Sequence, residues 1–293
     1  MGQYSCFAGL EKAYTELCKS KIAILPVPYD KTSTWIKGAD KGPVAIISSS
    51  PALEFYDIET DFEVYKEGIH TCLPIKTGSP PEKMIRQVEL KVLELLKADK
   101  FVVTLGGEHS VSVGPITACN TRFKNLSVLQ LDAHADLRNE YEGSRYNHAC
   151  VMARVKEMCP IVQVGIRSMC VEEKTILDKR NVFFAKDITS NNEWIARATE
   201  CLSDNVYVTI DLDVFDPSVM PSTGTPQPGG LTWYRVMRFL KAVSAQKNIV
   251  GFDVVELCPN PNNRAPDFMA AKLVYKFLSY IYSKRVKGKF LHL

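Results

Sequence analysis

Residues 129–138 read LQLDAHADLR. The apolar run Val128-Leu129-Gln130-Leu131 has the composition of a strand, and Asp132, His134 and Asp136 follow at alternate positions. Alternate residues of an extended chain point to the same side. Two carboxylates and an imidazole on one side do not make a packed core, because an isolated buried carboxylate is too costly to desolvate. A metal cation is the cheapest neutraliser of such a cluster. A strand end whose polar residues merely face water is the plain alternative.

Outward from this stretch, apolar runs alternate with amphipathic segments along nearly the whole chain. Lys21–Pro28, Phe101–Leu105, Leu126–Leu131, Ile161–Ile166, Val182–Ala185, Val206–Leu212 and Ile249–Val255 read as strands. Between them, Gly42–Ser49, Pro81–Ala98, a segment from the Gly106-Gly107 bend to about Ala118, His148–Met158, Val171–Lys179, Glu193–Leu202, Thr232–Ala245 and Asp267–Lys284 read as helices. Pro81–Ala98 is the plainest, with Met84, Val88, Val92, Leu95 and Leu96 on one face. Ile58–Tyr65 is mixed and is assigned to neither class. The alternation predicts an α/β fold with a parallel sheet covered on both faces. No composition break, repeat or low-complexity segment divides the chain, so residues 1–293 read as a single domain.

Composition narrows the function. Hydrophobic content of 46% and charged content of 24% are ordinary for a soluble globular protein. A formal net charge of +3 gives no case for nucleic acid or an anionic membrane as partner. The apolar stretch Phe268–Tyr282 is broken by Lys272 and Lys276, so no segment reads as membrane-spanning. The N-terminal residues lack the pattern of a secretory signal. Nine cysteines without a C-x-x-C spacing read as reduced thiols, and a cytoplasmic location is expected.

Ligand sites of open α/β sheets lie at the carboxyl ends of the strands. Four strands here end in polar clusters: GGEHS at 106–110, DAHAD at 132–136, DLD at 211–213, and Glu256 after Val254-Val255. His109, His134, Asp132, Asp136, Asp211 and Asp213 together give two imidazoles and four carboxylates. That is too many ligands for one small cation with an open position, and it suits a pair of ions sharing carboxylates. A mixed set favours manganese, with zinc or iron possible by ligand type. Two ions a few ångströms apart make a hydroxide available near neutral pH.

GGEHS, DAHADLR, and Thr209–Pro217 (TIDLDVFDP) followed by STGTPQPGGL closely resemble the signature segments of the ureohydrolase family, which holds arginases and agmatinases. Pro28-Tyr29-Asp30, Gly165-Ile166-Arg167 and the Glu256 segment extend the resemblance over most of the chain. It implies an arginase-like three-layer α/β/α fold with a mostly parallel central sheet, and two manganese ions per chain. By the family pattern His109, Asp132, Asp136 and Asp211 hold one ion, and His134, Asp132, Asp211 and Asp213 hold the other. The implied reaction is hydrolysis of a guanidinium group to urea and an amine. Glu256 matches the carboxylate that pairs with the guanidinium, Thr225 a residue that helps to hold it, and His148 a histidine that protonates the leaving amine. Asp136 is expected to accept a hydrogen bond from the attacking hydroxide. Relatives are commonly trimers or hexamers, so a homo-oligomer is expected.

The far end of the substrate is less determined. Where arginases carry an asparagine and an acidic pair for the amino-acid end of arginine, this chain has Arg138, Ser168 and Cys170. Arginine is therefore disfavoured, and the run from Asp132 to Met152 looks like an agmatinase group. Agmatine, giving putrescine and urea in polyamine biosynthesis, is the leading small-molecule substrate. Glu140 and Glu142 are the expected partners of its ammonium, with plain exposed loop charges as the alternative. Guanidinobutyrate, for which Arg138 offers a cation, another guanidino or formimino compound, and a catalytically silent metal-binding protein are the other readings.

Overall fold

The computed structural model describes residues 6–188 and 191–290, with side chains through residue 285. Eight strands form one sheet: β1 (Ile22–Val27), β2 (Ile69–Thr71), β3 (Phe101–Gly106), β4 (Leu126–Leu131), β5 (Ile161–Ile166), β6 (Val182–Phe184), β7 (Asn205–Asp211) and β8 (Asn248–Val255). Their spatial order is β2-β1-β3-β8-β7-β4-β5-β6, and every pair is parallel. Helices cover both faces, so β1, β3, β4 and β5 are buried along their whole length. That is why these strands are continuous apolar runs with no alternation. One face packs under the helices Gly42–Ser49, Trp233–Gln246 and Ala265–Phe290, the other under Pro81–Lys97 and Val113–Arg122. The arrangement is the expected three-layer α/β/α fold.

The chain order explains where a site forms. From β3 the chain crosses to β4, runs outward to β5 and β6, and returns to insert β7 and β8 between β4 and β3. The four strands whose ends carry the polar clusters are therefore neighbours: β3, β8, β7 and β4. Four separated motifs are thus carried to one crevice.

Most segments lie within a few residues of their expected bounds; the differences are local. The edge strand β2 has three residues and follows the mixed segment, where Asp57 and Phe62 form a bridge and Val64–Glu67 a 3-10 turn. A strand that short leaves no apolar run to find. His148–Met158 is not one helix: a 3-10 turn at His148–Cys150 precedes Val151–Lys156. The Asn147 side chain caps the Ala149 N–H there, and Cys150 leaves helical geometry at φ −120°.

Among the described residues, no helix is long and apolar enough to cross a membrane. The closing helix Ala265–Phe290 buries apolar side chains on several sides, and Lys276 lies buried among them. Its Nζ sits 2.8 Å from Asp57 Oδ2 and 3.0 Å from Glu59 Oε1. This triad ties the closing helix to the 57–60 turn. Burial opposes the Asp57 charge, but the Lys276 and Thr60 hydrogen bonds outweigh it and hold the carboxyl below its usual value. A depressed carboxylate stabilises the fold above its ordinary pKa and loses that contribution as pH falls through the folded value. Asp57→Asn should therefore destabilise the protein at neutral pH by roughly 3 kcal/mol, the lower end for a broken buried pair because Glu59 remains. Denaturant midpoints of variant and wild type should converge as pH drops below about 4, and a constant gap would contradict the assignment.

Candidate metal centre and substrate cavity

Each strand end delivers its side chains by a different local device. Beyond β3, Gly107 lies so close to the 27–30 segment that a Cβ would sit 2.0 Å from the Tyr29 carbonyl oxygen. Only glycine permits that approach. The chain then turns into His109–Ser112, with Glu108 accepting the Ser110 N–H at 2.8 Å as its cap. Beyond β4 the strand stops at Leu131, so alternation alone does not place the second half of DAHAD. Asp136 has φ +52°, a left-handed conformation that aspartate tolerates, and this turn brings its carboxylate back to the cluster. Beyond β7, Asp211 accepts the Asp213 N–H at 2.8 Å, which fixes the spacing of that pair. Beyond β8, Glu256 is held at φ +65°, with its N–H bonded to the Gly107 carbonyl at 2.7 Å. A strained conformation at a strand end persists only where its surroundings impose it.

The six expected ligands converge. Donor atoms of His109, Asp132 and Asp211 lie within 4.8 Å of one another, as do those of Asp132, His134 and Asp213. Asp132 belongs to both groups. Asp136 joins the first, its Oδ2 lying 2.9 Å from His109 Nδ1. His109, Asp132, Asp136, Asp211 and Asp213 are all buried, and His134 is half-buried.

The proton inventory of His109 tests whether a cation fits. Thr209 donates its hydroxyl proton to Asp253 at 2.7 Å, so it accepts from His109 Nε2, which lies 2.9 Å away. Nε2 then carries the ring proton, and Nδ1 presents a lone pair to three carboxylates at 2.9 to 3.5 Å. That buried Nδ1 has no hydrogen-bond partner. A lone pair facing carboxylates needs a cation between them. The Thr209–Asp253 pair behind the ring is the support that orients a ligating imidazole.

Electrostatics agree. Burial, then repulsion from Asp136 and Asp213, pushes Asp132 to about 7. Burial and Asp213 push Asp211 well above the usual carboxylate range. Asp213 goes the other way: burial is outweighed by His134, which holds it at about 2. The carboxylates in turn raise both imidazoles against the effect of burial, His134 to about 10, and among the described residues no lysine or arginine forms an ion pair with the cluster. Desolvating a carboxylate costs several kcal/mol even after relaxation, and a pair of divalent ions offsets that cost.

A cavity of about 240 Å3 opens beside the ligands. Glu256, Thr225 and His148 all line it. Glu256 Oε1 accepts the His109 N–H at 2.7 Å, while Oε2 faces the Gly224–Thr225 turn. One carboxylate oxygen is thus anchored, and the other accepts no hydrogen bond among the described residues. Arg167 holds the far side of that turn, donating to the carbonyls of Asp213 at 2.6 Å and Gln227 at 2.8 Å.

At the outer end, Trp35, Ile36, Arg138, Tyr141, Met169 and Glu173 line the wall. Glu140 and Glu142 are exposed and lie outside it. The guanidinium of Arg138 stacks on Tyr141, 4.6 Å from the ring centroid. Glu173 is the cavity's outer carboxylate, buried, with its oxygens accepting the Leu137 and Cys170 N–H groups at 2.8 and 2.7 Å. The sequence reading passed over it; its signal was a helix-capping glutamate three residues after Cys170.

The arginase family model matches residues 20–279 of this chain. The chain belongs to the arginase family. An N(1)-aminopropylagmatine ureohydrolase of Synechocystis is 36% identical over 280 residues, covering 92% of each chain. An agmatinase of Pyrococcus horikoshii is 32% identical over 257 residues, covering 86% of this chain and 89% of its own. The solved agmatine ureohydrolase of Thermoplasma volcanium superposes with a TM-score of 0.88 at 30% identity, covering 98% of this chain and 97% of that one. This arginase-family chain is therefore a hydrolase, and its His/Asp cluster offers groups that can hold metal ions.

Because Asp132 stands in both donor groups, Asp132→Ala should remove both ions. Elemental analysis of the purified variant should find no stoichiometric metal. Two ions per chain in that variant would contradict a shared ligand.

Proposed function

We propose that this arginase-family enzyme hydrolyses the guanidinium group of agmatine to urea and putrescine, with two manganese ions per chain. The observation that carries the reading is one cavity joining the six-ligand cluster to a half-anchored Glu256. The mixed carboxylate and imidazole donor set supports manganese. When bound, the ion pair supplies Lewis acidity that makes hydroxide available from water near neutral pH.

The chain's own residues do the rest. Glu256 Oε2 pairs with the guanidinium as a charge-assisted partner, and Thr225 closes on it from the adjoining turn. Burial, and then repulsion from Glu108, pushes the Glu256 carboxyl well above its ordinary value. An incoming guanidinium relieves that stress and is oriented by it. Asp136 accepts a hydrogen bond from the attacking oxygen. His148 lines the cavity as an imidazole whose pKa is lowered, chiefly by burial. It takes a proton from the nucleophile and passes it to the amine nitrogen as the C–N bond breaks. The ammonium of agmatine lies toward the outer wall, where Glu173 supplies the negative charge that the sequence reading sought in Glu140 and Glu142.

A second reading has its own support. Several relatives, among them one of Thermus thermophilus at 39% identity, carry the name N(1)-aminopropylagmatine ureohydrolase. Trp35, 69% exposed, and Ile36, 42% exposed, form an apolar rim along which a longer aliphatic tail can lie.

The test is urea release by the manganese-loaded protein from agmatine, N(1)-aminopropylagmatine, guanidinobutyrate and arginine in parallel. The expected order places the two agmatine compounds first and arginine last. Urea from none of them, with two ions bound, would mark a silent metal-binding protein. His148→Ala should keep both ions and lower kcat by about 10²- to 10⁴-fold, the usual contribution of a positioned acid–base group. Unchanged turnover would remove His148 from the scheme.

A further inference from the structure

Residues 28–38, between β1 and the 3-10 turn Ala39–Lys41, carry no regular structure. Both ends of this loop are tied. Asp30 Oδ2 accepts the N–H groups of Gly38 at 2.6 Å and Ala39 at 3.1 Å. Thr32 Oγ1 accepts the His148 N–H at 2.9 Å. Thr32, Ser33 and Ala39 are buried, whereas Thr34, Trp35, Ile36 and Lys37 are exposed. A fixed base thus holds an exposed apex at the cavity, whose wall includes Trp35 and Ile36. A Cβ on Gly224 would lie 3.2 Å from the Ile36 carbonyl oxygen and 3.7 Å from Glu256 Oε2, so the apex stands beside the carboxylate proposed to receive the guanidinium.

Trp35 differs from the other two tryptophans of the chain. Trp194 packs against Phe183 and Phe239, at 6.4 and 4.7 Å between ring centroids, and Trp233 stacks on Phe215 at 6.3 Å. Among the described residues no aromatic ring or cation meets the Trp35 ring, and no protein group accepts from its Nε1–H. A whole indole left in water forgoes the burial gain of a large aromatic side chain. This one stands at the mouth of the cavity, in whose wall the buried carboxylate of Glu173 also lies.

We infer that Trp35 is a specificity-determining residue that reads tail length: its indole receives the ammonium-bearing extension of a substrate longer than agmatine. The inference rests on the proposed reading of this cavity as a guanidine-hydrolysing site. With the guanidinium at Glu256 and the first tail nitrogen toward Glu173, the aminopropyl arm of N(1)-aminopropylagmatine runs out over the rim. Its methylenes lie on the indole, and its terminal ammonium meets the ring face. Tryptophan is the best aromatic side chain for a cation, and the contact gains from partial desolvation. Agmatine has no arm to place there. Its ammonium is met by Glu173, and Trp35 contributes less to it.

The experiment measures urea release from N(1)-aminopropylagmatine and from agmatine by the manganese-loaded wild type, Trp35→Ala and Trp35→Phe. Agmatine serves as the reference within each protein. Trp35→Ala should lower the ratio of kcat/KM for the longer over the shorter substrate ~10-fold, the combined worth of an exposed cation–π contact and covered methylenes. Trp35→Phe, which keeps a ring face, should retain most of the ratio. Loss on both substrates alike, with the ratio unchanged, overturns the inference, because a merely structural apex has no preference for length. A second readout needs no turnover. Spermidine and putrescine are the amines that the two substrates leave. Spermidine should shift the tryptophan emission of the metal-loaded wild type at lower concentration than putrescine, and Trp35→Phe should abolish that shift. Emission insensitive to spermidine, or changed only by protein concentration as in a contact between copies, overturns the inference. Absence of urea from both substrates with the wild type would count against the proposed function alone, and the ratio is then read from the dissociation constants of the two amines.

Discussion

Four buried carboxylates face two imidazoles, and among the described residues no lysine or arginine forms an ion pair with them; the centre of the molecule is arranged around that cluster. Asp132, Asp136, Asp211 and Asp213 are each buried; burial and then Asp136 and Asp213 push Asp132 up, and burial and then Asp213 and Asp132 push Asp211 up. Such a cluster is unfavourable unless cations enter it. The surrounding hydrogen bonds leave the cluster open to a cation. Thr209 and Asp253 commit the His109 proton to Nε2, and the Ala133 N–H donates to Asp213 at 2.9 Å. Gln130 donates likewise to Asp132 at 2.7 Å, and the Asp213 N–H to Asp211 at 2.8 Å.

A second charged group, remote from the first, is solved differently. Lys276 carries its counter-ions within the protein, at Asp57 and Glu59, and joins the last helix to a turn far back in the chain. One ion group therefore closes the fold with protein charges, and the other leaves a gap for metal. The difference lies in the partners: an ammonium beside two carboxylates in one case, and two imidazoles beside four in the other.

Loops from different strands meet at the cavity. Glu108 caps the turn that carries His109, and Thr32, in the loop after β1, accepts the His148 backbone N–H at 2.9 Å. At the outer wall the charges are mixed. Arg138 is spent on the face of Tyr141, and Glu173 is held by two backbone donors. The outer wall thus presents a stacked cation and an anchored carboxylate side by side.

How much was legible beforehand depended on range. The apolar runs, the helix Pro81–Lys97 and the polar ends of β3, β4, β7 and β8 are patterns within a few residues, and from them the sequence alone determined the fold class; the six residues proposed as ligands stand at or just beyond three of those strand ends, while the parts proposed for Glu256, Thr225 and His148 follow from the family resemblance. The sequence did not reveal the short edge strand β2, which has too few residues to carry a period. Nor did alternation account for Asp136, which reaches the cluster through a left-handed turn. The tail end was the least legible part: Glu140 and Glu142 are close to the motif in sequence, yet it is Glu173 that lines the cavity. Thr32 lies 116 residues from His148, and no local pattern joins them. Tertiary structure alone decided these pairings, because a hydrogen bond or a cavity wall depends on which loops the sheet order brings side by side. Sequence periodicity carries that information only within one element.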